Sequence, residues 1–207
     1  MTGWLHEQRL MAVRNVIRDR RARSILDLGC GDGDLLVGIV REEAVARVVG
    51  VDLCERSLTR LRTRLEKTAD HERDVELLQG SLLNVPARMR GFDCAVLVET
   101  IEHLDTDHLG AFERSVLGRL RPTTVIVTTP NAEFNPLLGV PSHRFRHPDH
   151  RFEWDRARFR RWARGVADRQ GYVVQCTDIA GQHPRLGGAS QMAVFDGCDK
   201  AARNQAA

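Results

Sequence analysis

Apolar and polar positions along this chain switch repeatedly between a period near 3.6 and short apolar runs. Over residues 3–20, the apolar spacing of Leu5, Leu10, Val13, Val16 and Ile17 fits a helix. RSILDLG (23–29) is a short strand running into a glycine turn, and DLLVGIVREE (34–43) reads as a helix. RVVGVDL (47–53) is a second strand ending in an acid, 55–69 a helix, and VELLQGS (75–81) a third strand. FDCAVLVE (92–99) is apolar almost throughout, the pattern of a strand covered on both faces. A helix over 105–120, the strand TTVIVTTP (123–130), a long irregular segment 131–153 and a helix over 155–169 follow. Strands near 171–178 and 190–196 close the chain with no clear helix between them, so they predict an antiparallel hairpin. Strands alternating with helices predict an α/β fold with a mostly parallel, doubly wound sheet. Residues 1–197 make one domain on this reading, and 198–207 a frayed tail.

Composition narrows the class. The 207 residues suit one domain with a full core, and 42% hydrophobic with 29% charged residues is the balance of a globular protein in water. No apolar run approaches the roughly 20 residues of a membrane span, and MTGWLHEQRL lacks a signal-peptide core. Five scattered cysteines (Cys30, Cys54, Cys94, Cys176, Cys198) argue against a disulfide framework and fit a reducing cytoplasm. The net charge of +3 rules out a polycation, yet the local distribution is uneven. Eight arginines lie within 144–164, interleaved with Phe145, Phe152, Trp154, Phe159 and Trp162.

LDLGCGDGDLL (26–36) is the first stretch with a chemical message. Gly29, Gly31 and Gly33 follow a strand and open a helix, where glycine permits a sharp turn and close approach of a ligand. In such sheets ligands sit at the carboxyl ends of strands, near the point where strand order reverses. The spacing is G-x-G-x-G rather than the dinucleotide G-x-G-x-x-G, and Asp27 stands beside it. An acid there repels a pyrophosphate but serves an ammonium group, and Asp52 at the end of the second strand can accept hydrogen bonds from ribose hydroxyls. Together they favour S-adenosylmethionine over NAD, against the alternative of a tight turn that binds nothing. The chain here resembles a class I, Rossmann-like S-adenosylmethionine-dependent methyltransferase.

VETIEHL (98–104) ends the fourth strand in Glu99, Glu102 and His103, at i, i+3 and i+4. One helical turn would bring all three to a common face, beside the methyl group of a cofactor bound at the first two strands. Two carboxylates and an imidazole with no thiolate nearby suit Mn²⁺ or Mg²⁺ better than structural zinc. The alternative is a helix N-terminus whose acids favour its dipole. HRFRHPDHRFEW (143–154) weighs against that alternative, because it puts His143, His147 and His150 in a long loop after strand five, next to strand four. His108 reads as a surface residue.

LHEQR (5–9), LDLGCGDG (26–33), VETIEHL (98–104), TTPNAEFN (128–135), RHPDHRFEW (146–154) and SQMAVF (190–195) together resemble the Hen1 family of RNA 3′-terminal ribose 2′-O-methyltransferases. The resemblance spans nearly the whole chain. It implies that Glu99, Glu102, His103 and His150 hold a divalent cation and form the catalytic centre, with His147 the runner-up for the last position. By the resemblance Arg9 joins the cofactor site, which is expected at Arg9, Asp27, Gly29, Gly31, Asp52 and Ser81; Arg144 and Arg146, which lie in the loop, are the expected RNA contacts, with Arg151 a weaker candidate. A metal-held 2′,3′-diol at the RNA 3′ end, with His103 or His150 taking the proton, is the mechanism it suggests. Many bacterial relatives carry a further N-terminal half linked to RNA repair, so an RNA-repair kinase or ligase is the partner the resemblance implies, and this chain starts at the methyltransferase motifs. Two other readings stand beside it: a metal-dependent O-methyltransferase of a small-molecule vicinal diol, and a non-catalytic cofactor- or RNA-binding module. Phe159 and Trp162 sit at helical spacing and suit a core; Arg156, Arg158, Arg160 and Arg161 suit a solvated face.

Overall fold

A computed structural model of the chain describes residues 2–67 and 74–198. Helix α1 (Thr2–Asp19) leads into β1 (Ser24–Leu28); the short α2 (Leu36–Ile39), β2 (Arg47–Asp52), α3 (Glu55–Glu66), β3 (Asp74–Gln79) and β4 (Cys94–Val98) follow. Then come α4 (Leu109–Glu113), β5 (Thr124–Pro130), α5 (Arg156–Gln170), β6 (Tyr172–Ile179) and β7 (Ser190–Gly197). The seven strands form one sheet in the order β3-β2-β1-β4-β5-β7-β6. Strands β1 to β5 run parallel, and β7 enters antiparallel between β5 and β6, closing the sheet as the hairpin pattern predicts. The order reverses between β1 and β4, so a crevice opens at their carboxyl ends.

Alternation along the strands divides the core. Leu26, Val49, Ala95, Leu97, Val125 and Val127 face α4, the helical segment after it, and α5. Ile25, Val48, Cys94, Val96 and Ile126 face α1, α2 and α3. Phe159 is fully buried and Trp162 packs against the same core, so both belong to α5's inner face.

Two predicted helices differ in extent. The 34–43 segment is regular α-helix only over Leu36–Ile39, with tighter i→i+3 bonds such as Gly38 N–H to Leu35 O and Glu42 N–H to Ile39 O around it. Gly38 in its middle lowers helix propensity. The 105–120 segment is helical but changes pitch twice: a 3₁₀ turn Thr106–His108, α4, then a wide-turned π segment Arg114–Leu120. The 131–153 segment, read as irregular, opens with a 3₁₀ helix Ala132–Leu138, capped by Asn131 accepting from the Glu133 N–H. Of the tail expected over 198–207, only Cys198 falls within the described residues.

Candidate active site

The glycine turn sits where the crevice opens. Gly29, Gly31 and Gly33 have φ of +78°, +52° and +81°, a region that side chains disfavour. A Cβ on Gly29 would fall 2.5 Å from Thr100 Cγ2, so β1's turn is pressed against the residue following Glu99. Asp52 fixes the turn: its Oδ2 accepts from the Gly31 N–H at 2.8 Å and its Oδ1 from the Cys54 N–H at 2.8 Å. Each oxygen keeps a lone pair for a ligand hydroxyl. Asp27 is buried, and its Oδ2 has no partner among the described residues. Burial, with the nearby Asp52 charge, pushes its carboxyl up to about 7. A buried, unpartnered carboxylate at the mouth of a glycine turn fits a cationic group such as the ammonium of an amino-acid moiety. Ser81 stands at the end of β3, capping a short 3₁₀ turn by accepting from the Leu83 N–H.

The other lip carries the two glutamates. Glu99 is not part of a helical turn: it has φ +50°, and only Ile101–His103 forms a 3₁₀ turn. The common-face expectation for Glu99, Glu102 and His103 therefore gives way to a different arrangement, built on β5. Glu99 N–H bonds to Thr128 O, and Thr128 Oγ1 donates to Glu99 Oε1 at 3.0 Å. Thr129 Oγ1 donates to Glu102 Oε2 at 3.1 Å. Successive strand residues point to opposite faces, so these neighbouring threonines anchor Glu99 on the α1 side and Glu102 on the α5 side.

Arg9, expected with the cofactor, pairs instead with Glu99: its Nη2 lies 3.2 Å from Glu99 Oε2, and its Nε donates to Ser190 Oγ. Glu102 is 0% exposed, and its Oε1 has no partner among the described residues. Burial, and the charge of Glu99, push its carboxyl well above the usual range. Arg9 compensates Glu99, whereas Glu102, fully buried with an orphan oxygen, is costly as a carboxylate without a further cation.

His103, His147 and His150 come together: each offers a ring nitrogen, and these lie within 4.8 Å of one another. The rings of His103 and His150 are 4.8 Å apart, those of His103 and His147 5.9 Å. The glutamates stand outside this three-histidine group, so of the expected four ligands the structure brings together His103 and His150, with His147 beside them, and not the carboxylates. Burial, then the neighbouring His150 and His147, hold His103 below the usual histidine value, so its ring is neutral and able to ligate near pH 7.

The tautomers of the other two differ. His150 Nδ1 lies 2.6 Å from Glu153 Oε1, so that nitrogen donates, and in the neutral ring Nε2 keeps its lone pair. His147 Nδ1 accepts from the Asp149 N–H, so in the neutral ring the hydrogen sits on Nε2. Of the two neutral rings, that of His150 has the nitrogen free of a proton and, among the described residues, of a hydrogen-bond partner. An orphaned buried carboxylate oxygen on Glu102 and a group of imidazole nitrogens following the same strand end are donor types that fit a divalent cation.

Glu153 was not singled out by the sequence reading, although its place three residues after His150 was a signal. Its side chain is 1% exposed. Besides His150 it accepts from Asn135 Nδ2 at 2.6 Å and from the Arg146 N–H at 2.7 Å. Arg146, expected to touch RNA, is committed elsewhere. Its guanidinium donates to Asn135 Oδ1, Ala189 O and Asn131 O, clipping the histidine loop to the residues that follow β5 and precede β7. Arg144 is exposed and forms no ion pair among the described residues, while Arg151 pairs with Asp105.

The strand order, the antiparallel β7 and the glycine turn define a class I, Rossmann-like S-adenosylmethionine-dependent methyltransferase fold. Residues 25–123 match a family model described as a methyltransferase domain. The methyltransferase domain of bacterial CtHen1-CN superimposes with a TM-score of 0.82 at 36% identity, covering 93% of this chain and 99% of that one. A crystal structure of the small RNA methyltransferase HEN1 gives a TM-score of 0.85 at 33% identity, over 93% of this chain and 25% of that chain. A Rattus norvegicus small RNA 2′-O-methyltransferase is 38% identical over 202 residues, 92% of this chain and 50% of the relative. The chain belongs to the Hen1 methyltransferase-domain family. It spans about half the length of the vertebrate relatives it matches. No helix among the described residues is long and apolar enough to cross a membrane.

Proposed function

We propose that this domain transfers a methyl group from S-adenosylmethionine to the 2′-hydroxyl of the 3′-terminal ribose of RNA, with a Mn²⁺ or Mg²⁺ ion held by Glu99, Glu102, His103 and His150. The observation that carries this reading is the meeting of two lips at one crevice. Asp27 and Asp52 lie on the β1–β2 side, while Glu99, Glu102 and His103 follow β4 and His150 lies in the loop after β5. The small RNA 2′-O-methyltransferases that the chain resembles at up to 38% identity support the substrate class.

Asp27, buried and unpartnered, takes the ammonium of the cofactor, and Asp52 accepts from its ribose hydroxyls while holding the Gly31 turn. Gly29 and Gly31 let the backbone approach the ligand without a Cβ in the way. Glu153 fixes the ring of His150, and the two threonines fix the glutamates, so the site is oriented before substrate arrives. The cation, when bound, supplies Lewis-acid activation of a hydroxyl at neutral pH. The walls of the crevice then hold the acceptor oxygen and the sulfonium methyl at attack distance. An RNA-repair kinase or ligase is the partner this reading implies.

The test is methyl transfer to RNAs ending in a 2′,3′-diol, a 3′-deoxyribose or a 3′-phosphate, with EDTA and then restored Mn²⁺ or Mg²⁺, beside a catechol panel. Metal-dependent transfer to the diol end alone is expected. Equal methylation of the 3′-deoxy end removes the diol requirement, and transfer only to catechols moves the acceptor to small molecules.

A further inference from the structure

Helix α5 carries six arginines, and they are not equivalent. Arg156 bonds to Glu133 and Asp178, Arg160 to Asp178, and Arg169 to Glu113. Arg158 and Arg161 have no carboxylate partner among the described residues, and they stand one helical turn apart on one face. Both line a groove of about 450 Å³ between α5 and the Thr106–Glu113 segment, whose other walls include Trp154, Trp162 and Thr106. The Arg158 guanidinium lies over the Trp154 ring, 5.2 Å from its centroid. Trp154 is 4% exposed, and the Nε1–H groups of Trp154 and Trp162 have no acceptor among the described residues. The one carboxylate in the groove, Glu113, is taken by Arg169. Among the described residues, the groove thus offers two unpaired guanidinium groups and aromatic walls, and no free carboxylate. Its chemical complement is an oxyanion.

Its position narrows the source. Thr106 follows His103 by three residues, at most about 11 Å of chain, and Trp154 follows His150 by four, at most about 14 Å. Both α4 and α5 begin after carboxyl ends of strands, so the groove opens at the same edge of the sheet as the histidine group. A strand whose 3′-terminal ribose lies at the histidines would carry its upstream backbone along this edge.

We propose that the α4–α5 groove, through Arg158 and Arg161, binds a backbone phosphate of the RNA a few nucleotides upstream of its 3′ end. This rests on the RNA reading above. The groove then acts as a length gauge: it adds affinity for strands long enough to reach it and leaves the chemistry at the terminal ribose untouched.

The test is binding of a 5′-labelled single-stranded RNA of about ten nucleotides, followed by fluorescence anisotropy across a salt series. The proteins compared are the wild-type chain, the Arg158→Gln/Arg161→Gln double variant, the charge-keeping Arg158→Lys/Arg161→Lys variant, and Arg160→Gln as a control from the paired set. The glutamine pair is expected to weaken binding about tenfold and to lower the slope of log K against log salt by about 0.7 for each phosphate no longer neutralised. The lysine pair should recover most of the slope, and Arg160→Gln should leave it unchanged. In turnover, the glutamine pair should raise KM for RNA with little change in kcat. Wild-type binding with an unchanged glutamine pair overturns the groove alone. Wild-type chain that neither binds nor methylates RNA overturns the RNA reading, and the groove with it. A fall in kcat at unchanged KM and slope also overturns the groove proposal.

Discussion

The two lips of the crevice are built in different ways. On the β1–β2 side every element of the site is within a few residues of a strand end. Asp27 lies in β1, the glycine turn follows at once, and Asp52 closes β2 with its carboxylate on the Gly31 and Cys54 amides. On the β4–β5 side the site is assembled across the chain. Glu99 is fixed by Thr128 and Arg9, Glu102 by Thr129, and His150 by Glu153, which is itself held by Asn135 and Arg146. Short-range geometry makes a ligand turn. A pair of carboxylates beside imidazoles needs long-range partners, because each buried polar atom must be satisfied by something distant.

The contrast can be broken most severely at Glu102. Glu102→Ala removes the fully buried carboxylate with the orphan oxygen and leaves the glycine turn intact. Methyl transfer should fall by roughly three orders of magnitude, a loss of about 4 kcal/mol in the transition state. Binding of S-adenosylhomocysteine, measured by calorimetry, should stay within about twofold, as expected for a site that does not touch Glu102. A matching loss of cofactor affinity would mean that the lips are one unit.

Next in size is Glu153→Gln. The variant keeps the shape but withdraws the charge that accepts from His150, Asn135 and the Arg146 amide. Mn²⁺ affinity should drop by about 10- to 100-fold, the usual cost of losing the carboxylate behind a ligating imidazole. The readout is the metal-dependent rise in thermal midpoint of the apoprotein, which needs no turnover. An unchanged rise would leave Glu153 a structural residue only.

Gly29→Ala probes the other lip. A side chain there would have to hold φ near +78° with its Cβ 2.5 Å from Thr100 Cγ2. Backbone strain of about 1–3 kcal/mol follows, so S-adenosylhomocysteine affinity should weaken by about tenfold while Mn²⁺ affinity changes little. Equal effects on both ligands would again join the lips.

This difference explains what could be read from residue order. The strand–turn–strand lip was legible because the hydrophobic run of β1, the glycines and Asp52 are local signals, and the parallel order with its closing hairpin followed from the same periodicity. VETIEHL and HPDH also stood out as metal-competent clusters. Their internal arrangement did not. Nothing local gives Glu99 its left-handed φ, because that conformation is held by Thr128, 29 residues further along. Arg146 and Arg144 looked alike in the loop, yet one is spent on oxygens of Asn131, Asn135 and Ala189 and the other is exposed. Arg9 stood out in LHEQR, but its ion pair with Glu99 could not be read from residue order. Side-chain partners set by tertiary contacts are the part that residue order leaves open.

The smallest expected effect gives the cleanest sign. Burial, with Asp52 nearby, raises the Asp27 carboxyl to about 7 from 3.8. The ligand-free fold therefore holds a proton that the unfolded chain has already lost between those values. Stability from this group is full below about pH 4 and is lost as pH rises through about 7, the reverse of a salt-bridged aspartate. Cofactor binding runs the other way, because only the ionised carboxylate attracts an ammonium. Between pH 6 and 7.5 the ionised fraction grows about eightfold, and affinity for S-adenosylmethionine should grow by about the same factor. Asp27→Asn should flatten both curves, raising apoprotein stability at pH 8 relative to wild type while lowering cofactor affinity there. Calorimetric binding and thermal melts over that range measure the two trends separately. If affinity were flat with pH while the melts still shifted, Asp27 would be a buried acid with no ammonium to meet, and the cofactor's amino group would have to be held by the backbone of the glycine turn.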